Sequence, residues 1–158
     1  MRRPADIAWR FSASAATYDR HAAVQRAVAE RLSRLLPDSA PGRVLEIGCG
    51  TGIMTGHLLG RYPDALVDAI DFSEGMIQHC RSRWSGEKRV AWKAVDLLRF
   101  EPEHKYPLIV SSAALHWVRP MSDTFGKVAW LLKPGGALVI AVMVLGTLAE
   151  LMEARARV

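Results

Sequence analysis

A short apolar run, Val44-Leu45-Glu46-Ile47, passes directly into Gly48-Cys49-Gly50-Thr51-Gly52, with glycine at every second position. Few segments leave a chain so little choice of structure. The apolar stretch Arg43–Ile47 reads as a short buried strand, and the alternate glycines permit positive φ and let a ligand lie against bare backbone. A helix is predicted next, over Thr51–Arg61, stopped by Tyr62-Pro63-Asp64. Strand, glycine turn and helix in that order open a parallel βαβ unit.

The rest of the chain repeats the alternation. Further strands are predicted at Ala65–Ile70, Arg89–Ala94, Leu108–Ser111 and Ala137–Met143. Helices are predicted from the Ser73 cap to about Trp84 and over Met121–Leu132, with a turn of helix at Ala114–Val118. Asp96–Lys105 reads as irregular, and Lys133-Pro134-Gly135-Gly136 as a tight turn. Ahead of the sheet, His21–Leu36 reads as an amphipathic helix on Val24, Val28, Leu32 and Leu35. The expectation is one α/β domain over 1–158 with a Rossmann-like doubly wound sheet of five parallel strands. Residues 1–42 would form a helical lid, 43–143 the sheet core, and 144–158 the start of a substrate region. Ligands of such sheets bind at the carboxyl ends of the strands, where the strand order reverses.

Composition excludes little. The chain has 158 residues, half of them apolar, with a net charge of +5. Its arginines are dispersed (Arg2, Arg3, Arg10, Arg20, Arg26, Arg31 and Arg34 early on), which suits a solvated surface or an acidic partner. The aromatic–basic interleaving of a nucleic-acid platform is not evident, so no nucleic-acid partner is expected. Cys49 and Cys80 have no metal-binding or disulfide spacing, so no metal is expected. Met1–Arg10 lacks the apolar core of a signal peptide, and the longest apolar run, Ala137–Leu145, is too short to span a bilayer. A reducing cytoplasm, away from membranes, is the expected setting.

The candidate site residues fall at predicted strand ends. A dinucleotide site uses G-x-G-x-x-G facing a pyrophosphate; here the pattern is E-x-G-x-G-x-G, with Glu46 inside. An anion there repels pyrophosphate and suits the α-ammonium of S-adenosylmethionine, with Gly48, Cys49, Gly50 and Gly52 beside the ligand. The alternative for Glu46 is a buried capping role. Asp71 ends the second strand, where its two oxygens match two ribose hydroxyls or serve the following helix N-terminus. Phe72 and Met76 would contact the adenine, Met76 being equally suited to the core. Asp96 could accept from the adenine amino group while the Leu97 N–H serves a ring nitrogen.

At this point the chain resembles the class I S-adenosylmethionine-dependent methyltransferases. The matching segments are VLEIGCGTG at Val44–Gly52, AIDFS at Ala69–Ser73, VDLL at Val95–Leu98 and LLKPGG at Leu131–Gly136. More narrowly, FSASAATYDRHAAVQ at Phe11–Gln25, IVSSAALHW at Ile109–Trp117 and GTLAEL at Gly146–Leu151 are similar to the malonyl-acyl-carrier-protein O-methyltransferases of biotin synthesis. The resemblance implies methylation of the free carboxylate of a malonyl thioester, on an acidic acyl carrier protein that suits the basic charge. Three departures accompany it. Pro107 stands where aspartate is usual, His116 stands where glutamine is usual, and the chain stops just after GTLAEL, where the family's substrate-covering insertion and last two strands are expected.

A carboxylate acceptor is already ionised at neutral pH, so positioning groups rather than a general base are sought. Tyr18, in a lid segment Phe11–Asp19, is a candidate to hold the methionine carboxylate or the substrate, and equally a residue that packs the lid. His116, beside Trp117, is a candidate donor to the substrate carboxylate or a structural histidine. Ser111 or Ser112 could lend a backbone carbonyl to the ammonium group. Competing readings are a methyltransferase acting on another small acid, a quinone or RNA, an NAD-dependent oxidoreductase, and a cofactor-binding fragment without turnover. The apolar fifth strand, if it lies at the sheet edge, predicts pairing with a second copy or a swap of Gly146–Val158, or else a chain stable only within a longer parent.

Overall fold

The computed structural model describes residues 4–144 and Thr147. Two helices, α1 (Pro4–His21) and α2 (Ala23–Ser33), precede the sheet. Then β1 (Arg43–Ile47), α3 (Ile53–Arg61), β2 (Leu66–Asp71), α4 (Glu74–Arg83), β3 (Val90–Ala94), β4 (Tyr106–Ser112), α5 (Met121–Leu131) and β5 (Leu132–Ala141) follow in turn. All strand pairs are parallel and the order is β3-β2-β1-β4-β5. The chain moves outward from β1 to β3, then returns to β4 on the other side of β1. The crevice between β1 and β4 is therefore the reversal point of the sheet.

Alternation along the strands builds two cores. Val44 of β1, with Leu108 and Val110 of β4, packs under α2 and α3 with Ala29, Leu32 and Leu58. Leu45 and Ile47 face the opposite layer, with Ile109, Val128 and Leu131. Tyr106 joins Ile109 in this second layer, an odd separation along one strand, because the register slips at Pro107. There β5 advances from Leu132 to Ala137 while β4 advances only from Tyr106 to Leu108. The KPGG turn is thus an excursion within β5 rather than a turn ahead of it. Gly136 is required there, since a Cβ would come within 2.9 Å of the Lys133 carbonyl and 3.0 Å of the Pro107 carbonyl. Proline at the slip lacks only a ladder donor that the irregular register does not use.

Two other expectations change. The helix expected over His21–Leu36 is present but shorter, as α2, and a further helix, α1, precedes it; α2 turns Ala29 and Leu32 to the sheet, while Val24 is 49% exposed and Leu35, past the helix end, 70% exposed. Residues 23–33 therefore belong to the core layer as much as to a lid. The segment after β3 is not wholly irregular: a single 3-10 turn, Leu97–Arg99, is capped by Asp96 and buries Leu97 and Phe100.

Among the described residues β5 pairs with β4 alone and forms one edge, and none of its residues is fully buried. Of the predicted segments Gly146–Leu151 and Gly146–Val158, all but Thr147 lie outside the described residues. No described helix is long and apolar enough to cross a membrane.

Away from the strand ends, Asp68 of β2 is a buried carboxylate that ties four segments together. It accepts from the Tyr106 hydroxyl at 2.9 Å and the Arg43 guanidinium at 3.0 Å, with Lys93 Nζ at 3.6 Å and His104 Nε2 at 3.3 Å. Burial alone would raise its pKa, but the hydroxyl and the cations outweigh burial and hold it below the usual carboxylate range. Tyr106→Phe removes one bond to a charged acceptor and is expected to cost about 1.5–3 kcal/mol in denaturant unfolding. An unchanged midpoint would show that Arg43 and Lys93 hold the carboxylate without it.

Candidate functional site

A cavity of about 780 Å³ opens over the carboxyl ends of the strands, at the reversal point. That is the size of a pocket for a cofactor-sized molecule. The ends of β1, β2 and β3 supply its three acids. Glu46 is 1% exposed, and Thr55 of α3 donates to its Oε2 at 2.5 Å. Burial, against the opposing help of Thr55, pushes its carboxyl up to about 8. Asp71, 7% exposed, accepts the Gly50 N–H at 2.9 Å on one oxygen and the Ser73 N–H at 2.8 Å on the other. Burial raises it too, and those two backbone donors oppose the rise. Asp96 is exposed at the rim and accepts the Leu98 N–H at 2.8 Å. Phe72, Met76 and Leu97 line the wall between them, with Met76 and Leu97 otherwise buried in the core.

The three glycines of the turn have different reasons to be glycine. All have positive φ. At Gly50 a Cβ would meet nothing within 4 Å, because it would project into open space, and Gly50 lines the cavity. At Gly48, also on the lining, a Cβ would stand 2.1 Å from the Ala114 Cβ. Protein packing, not only an incoming ligand, excludes a side chain there. Gly52 differs from expectation. It is not among the lining residues; it is the left-handed N-cap of α3, and a Cβ would lie 2.7 Å from Trp84 Nε1. Cys49 lines the cavity, while the Cys80 thiol donates to the Gly50 carbonyl at 3.1 Å behind the turn. The Cys80 thiol and burial together push the Cys49 thiol well up, so it is neutral and unreactive.

Helix α1 closes one side of the mouth. Its Ser12 packs on Gly75, where a Cβ would come within 2.7 Å, and its hydroxyl lies 2.8 Å from that of Ser73. Asp19 latches the other end, accepting from Thr51 Oγ1 and from Arg83, each at 2.5 Å. Tyr18 therefore faces the cavity; burial and the charges of Asp71 and Asp19 raise its phenol pKa, and the nearby Gln25 amide opposes the rise. Phe11 bridges the crevice, with ring centroids 5.9 Å from Phe72 and 5.7 Å from Trp117.

The opposite wall follows β4. Ser111 is buried and donates to the Ile47 carbonyl at 2.9 Å, tying β4 to β1, while Ser112 lines the cavity. Ala113 holds φ +53, a left-handed conformation that side chains rarely adopt and that often marks a functional site. His116 and Arg119 complete this wall. Burial and the neighbouring Arg119 hold the His116 imidazole below its ordinary pKa. Two buried polar atoms on the lining residues, Gln25 Oε1 and His116 Nδ1, have no partner among the described residues. Unpaired buried polar atoms in a cavity wall are what a polar ligand satisfies. Phe11, Gln25 and Arg119 were not singled out from sequence. Gln25 stands seven residues after Tyr18, two helical turns, a signal hidden by the helix break between them.

Residues 44–136 match the model of a family described as methyltransferase domain. The chain is 33% identical to malonyl-[acyl-carrier protein] O-methyltransferase 2 of Ilyobacter polytropus, over 90% of this chain and 56% of that protein. It is 36% identical to the malonyl-[acyl-carrier protein] O-methyltransferase of Acetivibrio thermocellus, over 89% of this chain and 50% of the relative. The chain thus spans about half the length of the curated relatives it matches. Among solved structures it is similar to the N-methyltransferase NodS of Bradyrhizobium japonicum in complex with S-adenosyl-l-homocysteine (26% identity, TM-score 0.62, 78% of this chain and 61% of that one). It is also similar to DhpI in a DhpI-SAM-HEP complex (25% identity, TM-score 0.71, 91% and 68%).

The raised pKa of Glu46 has a sign that unfolding measures. Between its ordinary value of 4.5 and about 8 the folded protein holds a proton that the unfolded chain has released. Its contribution is therefore full below pH 4.5 and is lost as pH rises to about 8, at up to about 1.4 kcal/mol per pH unit. Relative to Glu46→Gln, the wild-type protein is expected to lose stability between pH 5 and pH 8 in denaturant unfolding. Parallel pH profiles would show that Glu46 titrates normally.

Proposed function

Because the chain belongs to the methyltransferase domain family, we propose that it is an S-adenosylmethionine-dependent O-methyltransferase acting on the free carboxylate of malonyl-acyl-carrier protein, in biotin synthesis. One observation carries this reading: three carboxylates and a glycine turn open to ligand converge on a single cavity that lies at the reversal point of the sheet. The similarity to malonyl-carrier-protein methyltransferases over about nine-tenths of this chain supports the choice of acceptor.

The residues present fit the cofactor. Glu46 would meet the α-ammonium group, Asp71 the ribose hydroxyls through the lone pairs its backbone donors leave free, and Asp96 with Leu97 the adenine. Phe72 and Met76 supply apolar wall, and the unpaired Gln25 Oε1 adds an acceptor beside Tyr18. Bound there, the cofactor supplies a methyl group already activated on a positively charged sulfonium.

The chain's own contribution is position and dryness. The acceptor carboxylate is ionised at neutral pH, so no side chain need take a proton. Tyr18 and His116 orient the two reactants from opposite walls. Phe11, set between Phe72 and Trp117, keeps water from the mouth. Holding reactants in line recovers roughly 7–11 kcal/mol in favourable cases, which is where the rate would come from. An acidic carrier protein suits the net charge of +5, the cytoplasm is the setting, and the β5 edge, which among the described residues pairs with β4 alone, is the surface for pairing with a second copy.

A methyl-transfer assay with malonyl-carrier protein beside a panel of free dicarboxylic acids tests the reading. Methyl ester is expected on the carrier-borne malonyl group, with activity falling as salt screens exposed charge over about 10 Å at 0.1 M. Methylation of another acid would move the acceptor, and cofactor binding without turnover would leave a binding module. Gly50→Val places methyl groups in open cavity space, so cofactor affinity is expected to drop at least tenfold while the circular dichroism spectrum is retained. Normal binding by that variant would put the cofactor elsewhere.

A further inference from the structure

The cavity is electrically divided. Over β1–β3 its wall carries Glu46, Asp71 and Asp96; over β4–β5 the lining holds no acid, and its ionisable groups are His116 and Arg119. No ion pair engages Arg119 among the described residues. His116 keeps a buried Nδ1 without a partner among the described residues, and its ring is packed 5.0 Å from Trp117, which is itself packed against Phe11 of α1. One half of the cavity is thus built for a cation and the other for an anion. A cation held by the acids leaves only the basic half for a second reactant, and that reactant must tolerate an unneutralised guanidinium.

Resting on the function proposed above, we infer that Arg119 and His116 are the recognition site for the carboxylate of the methyl acceptor, and that Arg119 makes the enzyme selective for acids over neutral acyl groups. The guanidinium supplies charge and a planar fork of donors that matches a carboxylate, a geometry lysine does not reproduce. The imidazole, neutral beside that cation, supplies one N–H. Arg119 is exposed at the rim, so its replacement disturbs no packing. It is a specificity residue, not a proton carrier, because the acceptor arrives ionised.

The test is calorimetric titration of malonate into the chain saturated with S-adenosylhomocysteine, with dimethyl malonate as the neutral control. The wild-type protein is expected to bind malonate and not the diester. Arg119→Gln is expected to weaken malonate at least tenfold, Arg119→Lys to recover part of the loss, and His116→Phe to weaken it severalfold. Affinity for S-adenosylhomocysteine should stay within twofold throughout, which separates loss of an anion site from loss of the fold. Equal malonate affinity in Arg119→Gln, or no malonate binding by the wild-type protein, overturns the inference. If malonate binds through Arg119 but another acid is methylated in place of malonyl-carrier protein, the inference stands and the acceptor proposed above is wrong. If the carrier is methylated as well by Arg119→Gln as by the wild-type protein, the acceptor stands and the inference falls.

Discussion

Glu46 and Asp71 are carboxylates taken almost wholly out of water, and the architecture of the site depends on how that desolvation is offset. A buried charge without a partner is so costly that the group neutralises instead. Glu46 does so in the free protein, where among the described residues Thr55 donates to it and its carboxyl is pushed up to about 8. Asp71 is offset differently, by two backbone N–H groups from Gly50 and Ser73. Those bonds pull the glycine turn onto the end of β2 and start α4. The acid read from sequence as a ribose contact is first a structural clamp, and its free lone pairs face the cavity.

That clamp fixes what surrounds it. With Gly50 held, its carbonyl takes the Cys80 thiol, and the turn sits under Ala114, which leaves no room for a side chain at Gly48. The loop after β4 is thereby pressed onto the turn, and Ala113 takes up a left-handed backbone. His116, Trp117 and Arg119 follow from that loop. The basic wall is thus positioned by the same turn that positions the acidic one. Helix α1 adds the third side through Ser12 and Asp19, each meeting groups next to the turn or at the start or end of α4.

The sheet was legible because apolar runs and strand-end acids are local signals. VLEI, the alternation of strands with helices, and Asp71 and Asp96 at strand ends are all readable from neighbours in sequence. What escaped was set by packing at a distance. Gly52 looked like a ligand glycine, but Trp84, more than thirty residues away, decides its role. Val24, Val28, Leu32 and Leu35 fitted a helical stripe, and Leu32 does take the core, but with Ala29; α2 ends at Ser33, which leaves Leu35 outside the helix and exposed. Phe11, Gln25 and Arg119 lie on α1, α2 and a loop, and only the fold brings them to one cavity. The KPGG turn was seen, but not that β5 had begun before it.

The central claim is that the acidic half of the cavity is held in reserve for a cationic ligand. The most direct measurement is the proton count on binding S-adenosylmethionine, from calorimetry at pH 7 in buffers of different ionisation enthalpy. An ammonium group arriving at Glu46 should ionise it, so release approaching one proton per site is predicted, falling toward zero in Glu46→Gln. Binding with no proton release, the same in wild type and Glu46→Gln, would mean that Glu46 does not meet the ligand's charge, and the account of the acidic half would fail.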